Sequence, residues 1–373
     1  MFGEISEQRV AGDIAPGLLT IDLKALAANY RALAARVAPA RVAGVVKADA
    51  YGLGAARVAP ALEAAGCRDF FVAQLSEALI LKPLLNAGSR LYVLGGLLPG
   101  AEPACAQAGI IPVLNSLEQV AAWSRLARAR GVELPALLQF DTGMSRFGLS
   151  PEDAALLTAE LARLSGVRLL HVMSHLACAD EPGCGQNADQ LAAMARFAEG
   201  FPGVPLSFAN SGGIFLGPAY HGALVRPGIA LYGGAPTPGV ANPMLPVVRL
   251  DVRVVQIRTV PAGARVGYGG THVTAGERRL ATIAAGYADG LPRALGDRGA
   301  AYHGTTRLPI AGRVSMDSLT LDITALPPGT LKPGSPVELI GPHQTLEALA
   351  ADAGTIAYEI LTGLGTRYHR VYR

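Results

Sequence analysis

Two patterns of apolar and polar positions alternate along the first two thirds of the chain. Short runs of apolar residues are each followed by an amphipathic stretch rich in alanine and leucine, such as "SLEQVAAWSRLARARG". Nearly continuous apolar runs predict strands buried on both faces, and the helical stretches between them predict crossover connections. The eight runs are "RVAGVVK" from Arg41, "DFFVAQ" from Asp69, "RLYVLGG" from Arg90, "GIIPVLN" from Gly109, "PALLQFD" from Pro135, "RLLHVMSH" from Arg168, "PLSFANSG" from Pro205 and "ALVRPGIALYGG" from Ala223.

The eight strand–helix units predict an α/β domain with a parallel sheet. Because they fit within about 250 residues, we expect the sheet to close into a (β/α)8 barrel of the TIM type. A doubly wound open sheet is the alternative. No GxGxxG follows the first predicted strand, which disfavours a dinucleotide-binding version of that alternative.

The pattern changes at the proline- and glycine-rich stretch "APTPGVANPMLP", residues 235–246. Apolar runs such as "RLDVRVVQIRTV" and "PVELIG" follow with turns between them, and only one helical segment, "TLEALAADAGTIAYEIL", is present near the end. This predicts a second, mainly β domain. We place the barrel domain at residues 1–238 and the mainly β domain at residues 239–373.

Composition and charge disfavour several classes of protein. Half of the 373 residues are hydrophobic and the formal net charge is +3, without a basic run that would indicate nucleic-acid binding. The N-terminal segment lacks the basic start and apolar core of an export signal, and no apolar stretch of about 18 residues predicts a membrane span. We therefore expect a cytoplasmic protein. We also expect no metal site and reduced thiols at Cys67, Cys105, Cys178 and Cys184.

Polar side chains occur where the predicted barrel strands end, which is where barrels of this type carry their active sites. Lys47 ends the first predicted strand. An amine shielded at a strand end loses hydration, so its pKa falls and the free amine becomes nucleophilic. The other candidates at strand ends are Asp141, Arg146, His175, Asn210, Ser211 and Arg226.

The loops after the seventh and eighth predicted strands indicate a phosphate site. "ANSGG" supplies a serine hydroxyl and successive backbone N–H groups, and "RPGI" adds the N–H of a glycine. A lysine facing an anion site suggests pyridoxal 5′-phosphate (PLP), an aldehyde with a phosphate group, attached to Lys47. The loop that carries Tyr51 would then close over it.

Nine segments resemble, in the same order, the signature segments of bacterial alanine racemases. They are "VVKADAYGLG", "DTGMSRFG", "SHLACAD", "NSGG", "VRPGIALYG", "GYGGTH", "GYADG", "GRVSMD" and "AYEIL". The resemblance spans almost the whole chain. It implies a fold-type III PLP enzyme that interconverts L-alanine and D-alanine, supplies D-alanine for peptidoglycan, and works as a head-to-tail homodimer with shared active sites. It also implies two catalytic bases, Lys47 on the D-alanine side and Tyr268, reaching in from the partner subunit, on the L-alanine side.

The same resemblance implies which residues bind the cofactor and the substrate. The phosphate ligands would be Tyr51, Ser211, Gly228, Ile229 and Tyr358. His175 would face the cofactor ring, and Arg226 would contact the pyridine nitrogen. Arg146 and the backbone of Met316 would contact the substrate carboxylate.

Each implied role has a physical reason. Racemisation removes a proton from one face of the α-carbon and returns one to the other, which two opposed bases do directly. A tyrosine, with an ordinary pKa of about 10, acts as a base only where positive charge stabilises its phenolate. Arg226 stays protonated, so the pyridine nitrogen should stay unprotonated, which limits transamination. Arg146 suits bidentate binding of a carboxylate.

Two positions depart from the family pattern. Many members have a lysine, modified to a carbamate, at the position of Gln139. A neutral amide supplies no negative charge, so we expect Arg146 to be positioned in another way. The frequent histidine of the "YGHG" segment is replaced by Leu53. Neither change removes a base or a phosphate ligand.

Three other functions remain as alternatives. A PLP racemase of serine or of broader amino-acid specificity would differ only in the lining of its pocket. A decarboxylase of the same barrel fold would have an acid facing the pyridine nitrogen, which Arg226 disfavours. A non-catalytic PLP-binding protein would resemble the barrel alone, which the second domain and Tyr268 disfavour.

Overall fold

The computed structural model describes residues 14–373, and within them the chain forms two compact units. The barrel unit is Leu26–Leu245, and the β unit combines residues 14–25 with Pro246–Arg373. Most of the N-terminal segment that was interpreted as lacking an export signal lies outside the described residues. Among residues 14–373, no helix is long and apolar enough to span a membrane.

The barrel unit contains eight strand positions in a ring. Its strands are β2 (Arg41–Val42), β3 (Gly44–Val45), β4 (Asp69–Val72), β5 (Arg90–Val93), β6 (Ile111–Leu114), β7 (Leu134–Gln139), β8 (Val167–Met173), β9 (Leu206–Ser207) and β10 (Leu224–Val225); β1 belongs to the β unit. Strands β3 to β9 form a parallel sheet in chain order, and β10 pairs in parallel with β2, which continues into β3. The N–H of Arg226 donates to the carbonyl of Ala209 at 2.8 Å, which joins the seventh and eighth positions.

Helices cover the strands of the barrel unit. They are α1 (Leu23–Val37), which starts just before the unit, α2 (Ala55–Ala64), α3 (Leu75–Leu81), α4 (Glu102–Gln107), α5 (Leu117–Arg130), α6 (Pro151–Ala159), α7 (Gln186–Glu199) and α8 (Gly213–Leu216). α5 shows why they form. The Ser116 hydroxyl accepts a hydrogen bond from the N–H of Gln119, Gly131 ends the helix in the left-handed conformation, and Val120 and Trp123 are buried on one face. The predicted parallel (β/α)8 barrel is confirmed, and each of the eight predicted strands is present.

The β unit is built around one long strand. Its strands are β1 (Gly17–Ile21), β11 (Val248–Val260), β12 (Arg265–Val266), β13 (His272–Val273), β14 (Arg278–Ile283), β15 (Ala300–His303), β16 (Thr306–Pro309), β17 (Leu319–Asp322), β18 (Pro336–Ile340) and β19 (His369–Tyr372). One sheet runs in the order β16-β15-β18-β11-β1-β19, and β14 and β17 extend it from β11. Strands β12 and β13 form a separate antiparallel pair. The predicted mainly β character of this region is confirmed.

The boundary between the units differs from the sequence-based one at residues 238 and 239. The structure separates the units after Leu245, and it assigns β1 to the β unit. β1 is antiparallel to β11, with Gly17 opposite Val252, and parallel to β19, so its backbone hydrogen bonds lie in the second sheet. Its position in the sequence placed β1 in the predicted barrel domain, because the sequence of a short strand does not indicate a pairing partner far away in the chain.

The helical segment near the C-terminus is two helices instead of one. They are α9 (Leu346–Ala353) and α10 (Ala357–Gly363). Gly354 ends α9 with a φ of 69°, a left-handed conformation that glycine adopts without steric cost. The apolar periodicity continues across this break, so the sequence pattern predicted a single element.

Candidate active site

A cavity of about 580 Å³ opens at the C-terminal ends of the barrel strands. It brings together four residues singled out from the sequence, which are Lys47, Gln139, Arg146 and His175. Their side chains come from the ends of the first, fifth and sixth strand positions, so closure of the barrel has placed residues from distant parts of the chain around one space. This is the location where barrels of this type perform chemistry.

The amine of Lys47 is held in a state that favours reaction with an aldehyde. Lys47 is half-buried at the end of the first strand position. Desolvation lowers the pKa of its ammonium group, and the positive charges of Arg146 and Arg226 lower it further, while Glu77 acts in the opposite direction. A lowered pKa increases the fraction of neutral amine, which is the nucleophilic form.

The chain immediately after Lys47 forms one left-handed helical turn. The residues in it, with φ between 52° and 56°, are Ala48, Asp49, Ala50 and Tyr51. This turn directs Tyr51 into the barrel unit, where its ring packs against Tyr232 with centroids 4.7 Å apart. Tyr232 is fixed in turn because its hydroxyl donates to the carbonyl of Val45 at 2.8 Å.

The predicted phosphate site is a buried pocket of backbone N–H groups. The Ser211 hydroxyl accepts from the N–H groups of Gly228 and Ala230 at 3.0 and 3.3 Å, which joins the loops after the seventh and eighth strands. A Cβ at position 228 would overlap the hydroxyl of Tyr51, so that hydroxyl lies directly against this backbone. Within residues 14–373, the buried N–H of Ile229 donates to no acceptor. A free buried donor beside two hydroxyl groups fits a phosphate.

Arg226 is a buried cation that directly follows the eighth strand position of the barrel unit. Its side chain is only 3% exposed, and its guanidinium donates to the Ser207 hydroxyl at 2.7 Å and to the Ser174 carbonyl at 2.6 Å. Desolvation lowers the pKa of Arg226 to about 10, so it remains protonated at neutral pH. No carboxylate forms an ion pair with it among the described residues. The guanidinium is therefore held by neutral acceptors and keeps its full charge.

His175 lies beside this cation. Its Nδ1 is 3.5 Å from an amino nitrogen of Arg226. Burial, followed by the positive charges of Arg226, Arg146 and Lys47, lowers the pKa of His175 to about 3. The imidazole is therefore neutral at physiological pH, and it adds no further positive charge to the cavity.

The loop that carries Arg146 is positioned by a carboxylate and not by Gln139. Oδ1 of Asp141 accepts hydrogen bonds from the N–H groups of three successive residues, Gly143, Met144 and Ser145, at 2.9 to 3.1 Å. Gln139 is buried and lines the same cavity as Arg146, but no hydrogen bond joins their side chains within the described part of the chain. Asp141 thus holds the backbone that directly precedes Arg146.

The remaining predicted site residues lie in the β unit, on its surface. Tyr268 begins a short 3₁₀ turn, Tyr268–Gly270, and is 68% exposed, while Met316 and Tyr358 are 52% and 42% exposed. The barrel unit therefore contains Lys47 and the predicted phosphate ligands other than Tyr358. The β unit presents Tyr268, Met316 and Tyr358 toward its own exterior.

Two family models match nearly the whole chain. The model described as "Alanine racemase, N-terminal domain" covers residues 21–236, and "Alanine racemase, C-terminal domain" covers residues 247–372. The chain belongs to the alanine racemase family. The resemblance inferred from the nine sequence segments is thereby confirmed.

Named relatives and solved structures agree with this family. The chain is 63% identical over 359 residues to "Alanine racemase, catabolic" of Rhizobium johnstonii, covering 96% of this chain and 95% of the relative. It is 59% identical to "Alanine racemase" of Brucella canis, covering 96% and 94%. The Bartonella henselae alanine racemase, solved with covalently bound pyridoxal phosphate, has a TM-score of 0.93 at 45% identity, covering 96% of this chain and all of that chain.

Sequence reasoning missed two residues that position the predicted site of this alanine racemase family member. Ser207 is fully buried, and its hydroxyl accepts from Arg226 while it donates to the Leu224 carbonyl at 2.7 Å. Gln190 of α7 is also fully buried, and its amide donates to the carbonyl of His175 at 2.9 Å. A single hydroxyl within the apolar run "PLSFAN" was the available signal for Ser207, whereas Gln190 had none.

The remaining predictions from the sequence concern metal ligands and cysteines. No group of histidine, cysteine, aspartate and glutamate side chains within residues 14–373 could hold a metal ion. The four cysteines are free; Cys67 and Cys105 are buried.

Proposed function

We propose that this chain is a PLP-dependent alanine racemase that interconverts L-alanine and D-alanine, with Lys47 attached to the cofactor. The observation that carries the proposal is the arrangement at the barrel mouth. An amine with a lowered pKa lies in the same unit as a buried anion pocket, and the protonated Arg226 belongs to the same group of strand-end residues. Family membership supports the same reaction.

The barrel residues would hold the cofactor through separate groups. The phosphate would take hydrogen bonds from the free N–H of Ile229 and from the hydroxyls of Tyr51 and Ser211, with Gly228 allowing close approach. The resemblance adds Tyr358 as a further phosphate ligand. When bound, PLP withdraws electrons from the α-carbon of an attached amino acid and so makes its α-proton removable.

Arg226 would control which reaction follows. Its guanidinium donates hydrogen bonds and accepts none, and it remains charged at neutral pH, so a pyridine nitrogen in contact with it would accept a hydrogen bond and stay unprotonated. By keeping that nitrogen unprotonated, Arg226 would weaken electron withdrawal from the α-carbon and so favour return of the proton over transamination. The neutral His175 adds no second proton donor of high acidity beside the ring.

Two bases on opposite faces of the substrate would invert its configuration. Lys47 would exchange the proton on the D-alanine face, and Tyr268 would do so on the L-alanine face. Tyr268 is exposed in the β unit, and an amino nitrogen of Arg313 lies against the adjacent Gly269, so positive charge is close to its turn. We propose that Tyr268 enters the site of the partner subunit in a homodimer. Arg146 and the backbone of Met316 would bind the substrate carboxylate.

The proposed location is the cytoplasm, and the proposed role is supply of D-alanine for peptidoglycan. The free cysteines are typical of a reducing compartment. The two alanine enantiomers have equal free energy, so metabolite levels decide the direction of flux. Since relatives from Rhizobium johnstonii and Agrobacterium fabrum carry the name "Alanine racemase, catabolic", breakdown of D-alanine is the competing role. Deletion of the gene separates the two: a D-alanine requirement supports supply, and loss of growth on D-alanine alone supports breakdown.

A chiral assay tests the activity directly. Purified protein with PLP should convert L-alanine or D-alanine to an equal mixture of both, measured by chiral chromatography, while the Lys47→Ala variant should not. Serine and lysine are tested at the same concentrations. Faster racemisation of either one than of alanine would overturn the proposed substrate.

A further inference from the structure

The left-handed turn after Lys47 is strained, so contacts with residues outside the turn must stabilise it. Residues with a Cβ visit this conformation as single positions, because the Cβ approaches the following carbonyl oxygen. Here four residues in succession, from Ala48 to Tyr51, have φ between 52° and 56°. Within the turn, the N–H of Gly52 donates to the carbonyl of Ala48 at 2.8 Å. Such strain persists only where neighbouring groups determine the conformation.

The carboxylate of Glu77 is the group that fixes the start of this turn. Its Oε1 accepts from the N–H of Ala48 at 2.6 Å. Its Oε2 accepts from the N–H groups of Ala73 and Gln74, at the start of α3, at 2.7 and 3.1 Å. One side chain therefore ties the loop after the first barrel strand to the loop after the second. Hydrogen bonds to an ionised acceptor are among the stronger ones in proteins.

The bond to Ala48 acts on Lys47 through the covalent chain. The Ala48 N–H belongs to the peptide group that begins at the carbonyl of Lys47, so fixing its direction fixes the backbone from which the lysine side chain extends. At the other end of the turn, Oδ1 of Asp49 accepts from the N–H of Ala55 at 2.7 Å. The two carboxylates hold opposite ends of the strained segment.

We propose that Glu77 is a positioning residue for Lys47: its carboxylate holds the left-handed turn and thereby keeps the lysine directed into the cavity. The inference rests on the proposed function, in which Lys47 carries the cofactor. Glu77 does not touch the reacting atoms in this scheme. Besides its electrostatic effect on the amine, it acts on Lys47 through the backbone, and its capping of α3 couples that helix to the lysine loop.

Three variants separate this role from ordinary helix capping. Glu77→Ala removes all three hydrogen bonds. Glu77→Gln has a single acceptor oxygen, so it can serve Ala48 or the start of α3, but not both. Glu102→Ala is the matched control, because Oε2 of Glu102 accepts from the N–H of Gly100 at 2.9 Å near the start of α4, in the loop after the third barrel strand.

Hydrogen–deuterium exchange of the full chain as purified is the main measurement. In Glu77→Ala, amides in a peptide covering residues 46–54 should exchange about 10- to 100-fold faster than in the unchanged protein, as expected for the loss of a hydrogen bond to a charged group. Glu77→Gln should be intermediate, and Glu102→Ala should match the unchanged protein in this peptide. Unchanged exchange at residues 46–54 in Glu77→Ala would overturn the proposal. So would equal acceleration in Glu102→Ala.

Release of bound PLP, followed by its visible absorbance after dilution, gives a second readout. Glu77→Ala should release PLP at least about tenfold faster, with Glu77→Gln between it and the unchanged protein. If Glu77→Ala does not fold, Glu77→Gln decides alone, and exchange and release both equal to the unchanged protein would overturn the proposal. Failure of the proposed function would appear differently, as absence of alanine racemisation in the unchanged protein, and the exchange measurement would still test the role of Glu77.

Discussion

The predicted site residues of the barrel unit and of the β unit differ in burial and hydrogen bonding. In the barrel unit, Arg226 is buried and held by Ser207, and Ser211 bonds to the N–H groups of the next loop. In the β unit, Tyr268 and Met316 are more than half exposed. Buried polar groups with satisfied hydrogen bonds are fixed within one chain, whereas exposed ones acquire a defined partner only on binding. This contrast supports the proposal that the barrel unit binds the cofactor and that the β unit supplies residues to the site of a partner subunit.

Replacement of Lys47, the proposed attachment point of the cofactor in the barrel unit, should have the largest effect on racemisation. Lys47→Ala removes the attachment point and one proposed base, so racemisation should fall by at least about 10⁴-fold. Borohydride reduction of the unchanged protein should fix PLP on the peptide that contains Lys47. Lys82→Ala, which removes a lysine bonded to the Ser89 carbonyl, serves as control and should keep full activity. PLP found on any other lysine would refute the assignment.

Replacement of the exposed tyrosine should have a smaller and unequal effect. Tyr268→Phe keeps the ring, so folding should survive, and loss of one acid–base group should cost about 10²–10⁴-fold in α-proton exchange from L-alanine. Exchange from D-alanine should fall less, because Lys47 still faces that proton. Deuterium uptake at the α-carbon, measured separately for each enantiomer, tests this. Equal losses from both enantiomers would argue against two bases.

Mixing two inactive variants tests whether the exposed residues act across subunits. In a mixed dimer of Lys47→Ala and Tyr268→Phe chains, one site would carry both changes and the other neither. Activity should therefore return to the mixture, up to one intact site per mixed dimer. No recovery in dimers that mass spectrometry shows to be mixed would contradict a shared site, and the β unit would then need another function for its surface.

Removal of the hydroxyl that supports Arg226 should have a moderate effect. Ser207→Ala takes away one acceptor of the buried guanidinium, so we expect a loss of about 1–3 kcal/mol in the free energy of unfolding, measured with urea. Activity should fall by about tenfold or more as the guanidinium loses its orientation. Ser165→Ala provides a matched control on the surface of the same unit. Equal stability of the two variants would mean that Ser207 does not support the cation.

Acidification should destabilise the protein through two buried histidines of the barrel unit. Burial lowers the pKa of His171 to about 4 and that of His175 to about 3, below the ordinary value of 6.5. Between those values the unfolded chain binds protons that the folded chain does not, so stability is full above pH 6.5 and falls as the pH drops. Each histidine should lower the free energy of unfolding by about 1–2 kcal/mol between pH 7 and pH 5. His171→Gln should reduce this loss of stability at low pH, measured by urea unfolding. An unchanged loss would show that His171 is not its source.

Local patterns in the sequence predicted more of the fold than of the support around the site. The eight apolar runs and the helical stretches predicted the barrel because burial on both faces of a parallel strand imposes a continuous apolar run. Four site residues could be predicted because each lies near the end of a predicted strand; they are Lys47, Arg146, His175 and Arg226. Gln190 and Glu77 were not predicted, since a polar residue on a helix has the same local pattern whether it faces solvent or a neighbouring loop.

The sequence by itself determined the α/β class, the order of strands and helices, the family, and the residue types at the strand ends, because these depend on local periodicity and on short segments. The tertiary structure decided which residues meet. It assigned β1 to the β unit through pairing with β11, placed the Ser207 hydroxyl under Arg226, and used Asp141 to position the loop of Arg146. It also revealed the left-handed turn held by Glu77. These features depend on contacts between residues far apart in the chain, and such contacts leave no local pattern.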